Sequence, residues 1–245
     1  MYKRITLLLT LSNGVFTKTR SFNSEHLYST KHIDYSAFDE VLVVCTDKEP
    51  TCQYEKFIDD LVRELTIPLV ISGNINSLND ARKFFDLGAD RLILNRSLWT
   101  NSKLTRQLAN IYGKQAVIAS FDFIKEKSIS SFNWETKEKR TSFLPEDFLE
   151  ITDFIGEIFL QDVNHDGRVI GSDINAIKKI QDFLPPELPI HIGSCGLVSW
   201  DQYAELLELD YVDAVSVNNV HHMSIKACKT LREYCKMKNL NIRML

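Results

Sequence analysis

Ile67-Pro68-Leu69-Val70-Ile71-Ser72-Gly73 recurs in outline as Leu188-Pro189-Ile190-His191-Ile192-Gly193-Ser194. Each copy sets a proline before a short apolar run and small residues after it. Each is followed by a serine placed to cap a helix (Ser77, Ser199) and then by a second apolar run that ends in asparagine (Asn95, Asn218). Self-similarity at a spacing of roughly 120 residues marks a chain whose second half repeats the first. A run that is apolar at every position, not at alternate ones, suits a parallel strand covered on both faces. The repeat predicts two copies of one strand–helix–strand unit, the pattern of a barrel built from two half-barrels.

Working outward, eight such runs stand at residues 5–10, 40–45, 69–72, 92–95, 116–122, 158–162, 190–193 and 214–217. Between and after them lie amphipathic segments at 54–65, 78–87, 103–112, 146–154, 173–183, 200–209 and 225–238. Strands alternating with helices imply βαβ units and a parallel sheet. The predicted fold is an α/β (β/α)₈ TIM barrel, and residues 1–245 are expected to form one domain, since about 250 residues suffice for such a barrel. Two departures stand out. Residues 19–38 are polar and aperiodic, so the first crossover lacks a convincing helix. Residues 124–143, after the fifth strand, are long, charged and serine-rich, and predict a hairpin over the barrel mouth from SISSFNW and KRTSF.

Apolar residues make up 44% of the chain, which suffices for a globular core. A net charge of −4 gives no electrostatic case for nucleic acid or an anionic membrane. The five cysteines are odd in number and form no C-x-x-C, which argues against a disulfide framework or a structural zinc and favours a reducing cytoplasm. The apolar run from Ile5 to Leu9 is too short for a signal segment or a membrane span and reads as a buried strand. Cys195 with His191, His221 and His222 fits no established zinc spacing, so no metal is expected. Cys228 and Cys235, seven apart on the last helix, read as packing residues, and Trp134 in the long insertion reads as a loop anchor before a sugar platform.

Further signals carry a resemblance: Lys3-Arg4-Ile5, Asn13-Gly14, Asp39-Glu40, Leu87-Gly88-Ala89-Asp90, Gly113-Lys114-Gln115-Ala116-Val117, Asp162-Val163-Asn164-His165-Asp166-Gly167, and Asn239 to Met244 at the end. Their order and spacing over nearly the whole chain resemble the cyclase subunit of imidazole glycerol phosphate synthase, of histidine biosynthesis. The resemblance implies a barrel that takes ammonia from a separate glutaminase at its bottom face and passes it to an active site at the top. There, two aspartates at the ends of strands one and five act as acid and base on a bis-phosphorylated ribonucleotide. Asp122 matches the second of these. The first is replaced by Thr10, whose hydroxyl is neither acid nor base near neutral pH.

The resemblance also assigns ligand and phosphate contacts to Gly73, Asn95, Asp166, Gly167, Gly193, Ser194, Asn218 and Asn219. Several glycines of the family's phosphate turns are exchanged here for polar or cationic residues, such as Arg96 and Arg168. A smaller ligand, singly phosphorylated, sugar-nucleotide or not phosphorylated, is therefore expected, with no cofactor. At the bottom face Arg4, Glu40, Arg91 and Glu157 match a salt-bridged ammonia gate, and Asp90 matches the aspartate that docks the glutaminase. Leu7-Leu8-Leu9, the lost aspartate and the run from Asn13 to Phe22 look closer to a branch of the family found with surface-polysaccharide genes, which supplies ammonia for acetamidino groups on sugars. The expected function is accordingly an ammonia-channelling synthase subunit of a glutamine amidotransferase. A working histidine-pathway cyclase and a non-catalytic scaffold that activates a glutaminase stand as alternatives. No cysteine sits in a Gly-x-Cys-x-Gly elbow, so any use of glutamine needs a partner chain. Plainer readings remain beside these. The four charges also suit a structural ion-pair layer, Asp166-Gly167 also suits a simple turn, and Asp122 also suits a loop cap.

Overall fold

The computed structural model describes residues 2–28, 33–47, 52–168, 170–193, 196, 199–218 and 227–243. Its centre is a closed parallel barrel. The eight strands are β1 (Arg4–Ser12), β4 (Glu40–Cys45), β5 (Leu69–Ser72), β6 (Arg91–Leu94), β7 (Val117–Lys125), β10 (Glu157–Asp162), β11 (Ile190–Ile192) and β12 (Val212–Val217). They run in the order β10-β11-β12-β1-β4-β5-β6-β7, and pairing of β7 with β10 closes the ring. β5 and β11, the two strands of the sequence repeat, therefore stand four places apart, on opposite sides of the barrel. The expected (β/α)₈ barrel is the observed fold.

Helices α1 (Cys52–Glu64), α2 (Leu78–Asp86), α4 (Lys103–Tyr112), α6 (Ile174–Gln181), α7 (Trp200–Leu207) and α8 (Ala227–Met237) cover the outside, with the short α3 (Arg96–Thr100) following β6. Ser77 and Ser199 are N-caps as expected, and each forms a full capping box, with Asp80 and Gln202 respectively. Such a cap contributes about 1 kcal/mol and fixes where the helix begins. The expected helix at 146–154 shrinks to α5 (Phe148–Ile151) and a 3-10 turn, Thr152–Phe154. Its first bonds run three residues back, Phe148 N–H to Pro145 and Glu150 N–H to Asp147, and only four residues are α-helical before the 3-10 turn.

The first crossover holds a β-hairpin where a helix would stand. β1 continues beyond the barrel, turns at Asn13-Gly14 and returns as β2 (Val15–Arg20), which pairs with β3 (Asn23–Tyr28). Asn13 and Gly14 have φ of 51° and 74°, the left-handed pair that a two-residue hairpin turn demands. The insertion after β7 also folds as a hairpin: β8 (Ile129–Asn133) pairs with β7 and with the two-residue β9 (Glu138–Lys139). The returning strand thus starts before the KRTSF stretch, and the Arg140 guanidinium instead lies 4.2 Å over the Trp99 ring.

Alternate residues of each barrel strand face inward and form layers. Arg4, Glu40, Arg91 and Glu157 lie at the strand starts. Thr6, His191 and Ser216 come next, fully buried. Above them Leu8, Leu42, Val70, Ile93, Ile118 and Phe159 make an apolar belt distinct from the main core outside the barrel. Thr10, Ser72, Asn95, Ser120, Asp122 and Gln161 then line the C-terminal mouth.

Candidate functional site

A cavity of about 370 Å³ opens at the C-terminal mouth. Its wall includes five of the residues expected at the site: Thr10, Gly73, Asn95, Asp122 and Asp166. Thr10 on β1 and Asp122 on β7 face it from opposite sides of the barrel, since three strands separate β1 from β7 in one direction and three in the other. In (β/α)₈ barrels this end of the strands is where chemistry is placed.

Asp122 is buried and has one side-chain donor, the Asn95 amide, 3.0 Å from Oδ2. Burial raises its pKa to about 7; the Asn95 hydrogen bond pulls the other way and the charge of Asp166 adds to the rise. A carboxyl poised there can give or take a proton near neutral pH. Asp166 is also pushed up by burial, against the donors that hold it. Its Oδ2 accepts from the Thr19 hydroxyl at 2.9 Å and the Phe22 N–H at 3.0 Å, and its carbonyl accepts from the Ser21 N–H at 3.0 Å. Ser21 and Phe22 have φ of 48° and 62°, a strained pair for non-glycine residues that Asp166 clamps in place. Asp166 therefore serves first as the anchor of the β2–β3 hairpin.

That anchoring separates the expected ligand contacts. Gly167 does not line the cavity: a Cβ there would lie 1.8 Å from the Thr19 carbonyl oxygen, because the hairpin packs against it. Gly193 is also off the wall, and a Cβ on it would lie 1.7 Å from Gln161 Oε1. In both cases the chain's own groups occupy the place a Cβ would take, so packing already calls for glycine there. Asn218 is buried and does not line the cavity either. Ser194 and Asn219 lie outside the described residues, as do Cys195, His221 and His222. Gly73 is on the wall, but its glycine is required by packing, since a Cβ would lie 2.6 Å from the Cys45 carbonyl oxygen.

The cationic groups on the wall are engaged within the protein. Arg96 pairs with Glu135 at 2.9 Å, and Lys137 donates to the Phe22 carbonyl at 3.1 Å, tying the two hairpins together over the mouth. Trp134, read from sequence as a loop anchor, stands on the cavity wall. Thr19, Phe22 and Gln161 were not singled out as site residues in the sequence. The signal for the first two was Asn13-Gly14 followed by the alternating Val15 to Arg20, a hairpin pattern that returns the chain across the mouth. Among the described residues no group of three or more His, Cys, Asp or Glu side chains is placed to hold a metal, and no helix is long and apolar enough to cross a membrane.

At the opposite end the four charged residues form a closed ring. Arg4 bonds Glu40 at 3.1 Å and also Glu157; Arg91 bonds Glu40 at 3.2 Å and also Glu157. β1 and β4 are neighbours and the other pairs link strands two or three places apart, so the four side chains form a ring around the barrel interior. Glu157 is fully buried, yet its pKa is lowered, because Arg4 and Arg91 outweigh the burial that would raise it. Asp90 lies beside this ring at the start of β6. The residue is exposed, its N–H donates to the Leu69 carbonyl, and its carboxylate accepts the Leu69 N–H at 2.8 Å.

A family profile described as histidine biosynthesis protein matches residues 8–226. Among curated proteins, the chain is 29% identical over 131 residues to a provisionally named imidazole glycerol phosphate synthase subunit hisF2 of Parasynechococcus marenigrum, an alignment covering 49% of each. It is 30% identical over 131 residues to a protein of the same provisional name from Campylobacter jejuni, covering 51% of this chain and 52% of that one. It is 30% identical over 129 residues to the imidazole glycerol phosphate synthase subunit HisF of Lactococcus lactis subsp. cremoris, covering 49% of each. The chain spans about half the length of the curated relatives it matches.

Proposed function

This chain belongs to the histidine biosynthesis protein family, and on that premise we propose that it is the cyclase-like subunit of a glutamine amidotransferase. In this reading it takes ammonia from a separate glutaminase, passes it through the barrel, and serves acetamidino-sugar synthesis for a surface polysaccharide in the cytoplasm. The observation that carries the reading is the closed ring of Arg4, Glu40, Arg91 and Glu157 at the strand starts. Four charges at strand starts are costly to bury, and this arrangement keeps them at the one place where a passage would begin. Asp90 on the same face is the docking residue of the proposal.

The top face supports a compact ligand. The β2–β3 hairpin packs against Gly167 and Gln161 packs against Gly193, which supports a ligand smaller than the bis-phosphorylated ribonucleotide. Asp122 is the acid–base or ligand-binding group of the proposal, and the Thr10 hydroxyl faces it without titrating.

The test is the ratio of nitrogen delivered to product per glutamine consumed, in the native complex and in Arg91→Ala. Glutamine is expected to be hydrolysed in both, with less nitrogen reaching product in the variant. An unchanged ratio in a variant that is folded and partner-bound would show that the ring is only structural. Asp90→Lys is expected to weaken association by placing like charges across the interface, and an unaltered affinity would remove the docking claim.

A second reading, a histidine-pathway cyclase, is favoured by the pKa of Asp122 at about 7. Loss of one acid–base group typically costs about 10²–10⁴ in rate. Turnover of the bis-phosphorylated ribonucleotide with ammonium is therefore expected to fall far below that of an ordinary cyclase, and ordinary turnover would establish this second reading instead.

A further inference from the structure

Between the ring and the apolar belt, the barrel interior holds three polar side chains that no step described so far uses. Thr6 Oγ1, His191 Nε2 and Ser216 Oγ stand 2.9 Å from one another on all three sides of a triangle. They come from adjacent strands β1, β11 and β12, and all three residues are fully buried. Below them Glu157 Oε1 lies 3.5 Å from His191 Nδ1. Above, the Phe159 ring meets the imidazole edge-on, with centroids 5.0 Å apart. Barrel interiors are ordinarily filled with branched apolar side chains, and buried polar groups are costlier unless hydrogen-bonded.

A count of protons shows what the triangle lacks. Burial holds the His191 imidazole neutral, with its pKa down at about 3, and the nearby Arg4 and Arg91 charges act in the same direction against Glu157. A neutral imidazole carries one N–H. The carboxylate of Glu157 beside Nδ1 favours the proton there and leaves Nε2 as an acceptor. The two hydroxyls then have two protons for three sides, and Thr6 also lies 3.3 Å from the Val215 carbonyl. At least one side is a contact without a hydrogen. A guest that both donates and accepts would bridge that side once its two atoms, 2.9 Å apart, moved aside to admit it, and would supply the hydrogen that the side lacks.

We propose that Thr6, His191 and Ser216 form a binding station for one molecule of ammonia inside the barrel, between the charged ring and the apolar belt. The proposal rests on the reading of the barrel as an ammonia passage and deepens it. A hydroxyl of Thr6 or Ser216 donates to the ammonia lone pair, and His191 Nε2 accepts one ammonia N–H. Glu157 acts through His191 by holding its tautomer. A protonated imidazole would hand its proton to ammonia and leave an ammonium ion against Leu8 and Phe159, where a charge is expensive to bury; a neutral one keeps the cargo uncharged.

The test is nitrogen-15 NMR of the full chain labelled at histidine, with the His191 signals identified by their loss in His191→Asn. Ammonium chloride is added at a pH where much of it is free ammonia and at one where almost all is ammonium, with sodium chloride and trimethylamine hydrochloride as controls. Nε2 is expected to be unprotonated in the free protein and to shift saturably with free ammonia alone. In Thr6→Val and in Ser216→Ala, whose shapes change little, the affinity is expected to fall about tenfold for the lost donor. A protonated Nε2, no saturable shift, an equal shift with either control, or unaltered affinity in both variants would overturn the station. The measurement needs neither a glutaminase nor a product. A missing shift therefore leaves the passage reading standing, whereas an unchanged product ratio in Arg91→Ala removes the passage and leaves ammonia binding at the triangle as measured.

Discussion

The two ends of the barrel hold carboxylates at similar depth and treat them oppositely. At the N-terminal end Glu157 is fully buried between two guanidinium groups and is held below the usual carboxylate range. At the C-terminal end Asp122 has one neutral amide as its side-chain donor and is pushed up to about 7. Burial is common to both, so pairing sets the sign. In the ring Glu157 is satisfied and stays ionised, although burial raises Glu40 beside the same two arginines; the mouth is left under-satisfied, which costs stability and gives a group able to exchange protons.

The sharpest break of this comparison is at the ring. Arg4→Met leaves Glu157 with half its compensation, and removing one partner of a buried pair typically costs about 3–5 kcal/mol. A urea-unfolding midpoint shifted by less than the equivalent of about 1 kcal/mol would mean that the ring is solvated like a surface pair.

At the mouth the sign reverses. Between the ordinary aspartate pKa and about 7 the folded state binds a proton at Asp122 that the unfolded state has released, so stability falls as pH rises through that window. A pKa moved from 3.8 to about 7 corresponds to about 4 kcal/mol at the most, lost by about pH 8 and fully present below about pH 4. Asp122→Asn keeps the shape without the charge. It is expected to be more stable than the native chain at about pH 8 and nearly equal to it below about pH 4, while losing function at the mouth. A difference in stability that does not change with pH would refute the raised pKa.

The hairpin clamp comes next. Asp166→Ala removes two hydrogen bonds to Thr19 and Phe22 and is expected to cost about 1–3 kcal/mol, read as faster amide exchange at Phe22 than at the barrel strands. Equal protection of Phe22 in both proteins would show that Ser21 and Phe22 hold their strained turn unaided. The smallest effect is expected at the exposed pair Arg106–Glu150, 3.2 Å apart, where Glu150→Ala should move stability by no more than about 0.5 kcal/mol. A loss as large as at Arg4 would dissolve the contrast between buried and surface charge.

Much of the scaffold was legible because its signals are local. Runs such as 40–45 and 69–72 match their strands to the residue, and Ser77 and Ser199 mark helix starts because a capping box needs only four consecutive residues. The weak first crossover was visible as a missing period, and its replacement was encoded in Asn13-Gly14, whose turn preference is also local. The segment at 146–154 is helical from Phe148, but its split into a short α-helix and a 3-10 turn was not legible, because an amphipathic pattern does not reveal whether bonds will run to the third or the fourth residue back.

The amino-acid sequence by itself determined the barrel, its half-barrel repeat and the charges at its strand starts, since strand period, caps and apolar runs act over a few residues. Only the tertiary structure decided which of those residues meet. It closed Arg4, Glu40, Arg91 and Glu157 into one ring, brought Thr6, His191 and Ser216 from opposite ends of the chain into a triangle, and turned Gly167 and Gly193 away from the cavity. The reason is closure: β1 pairs with β12 and β7 with β10 over long stretches of chain, and the burial and pairing that set each group's chemistry exist only once those strands have met.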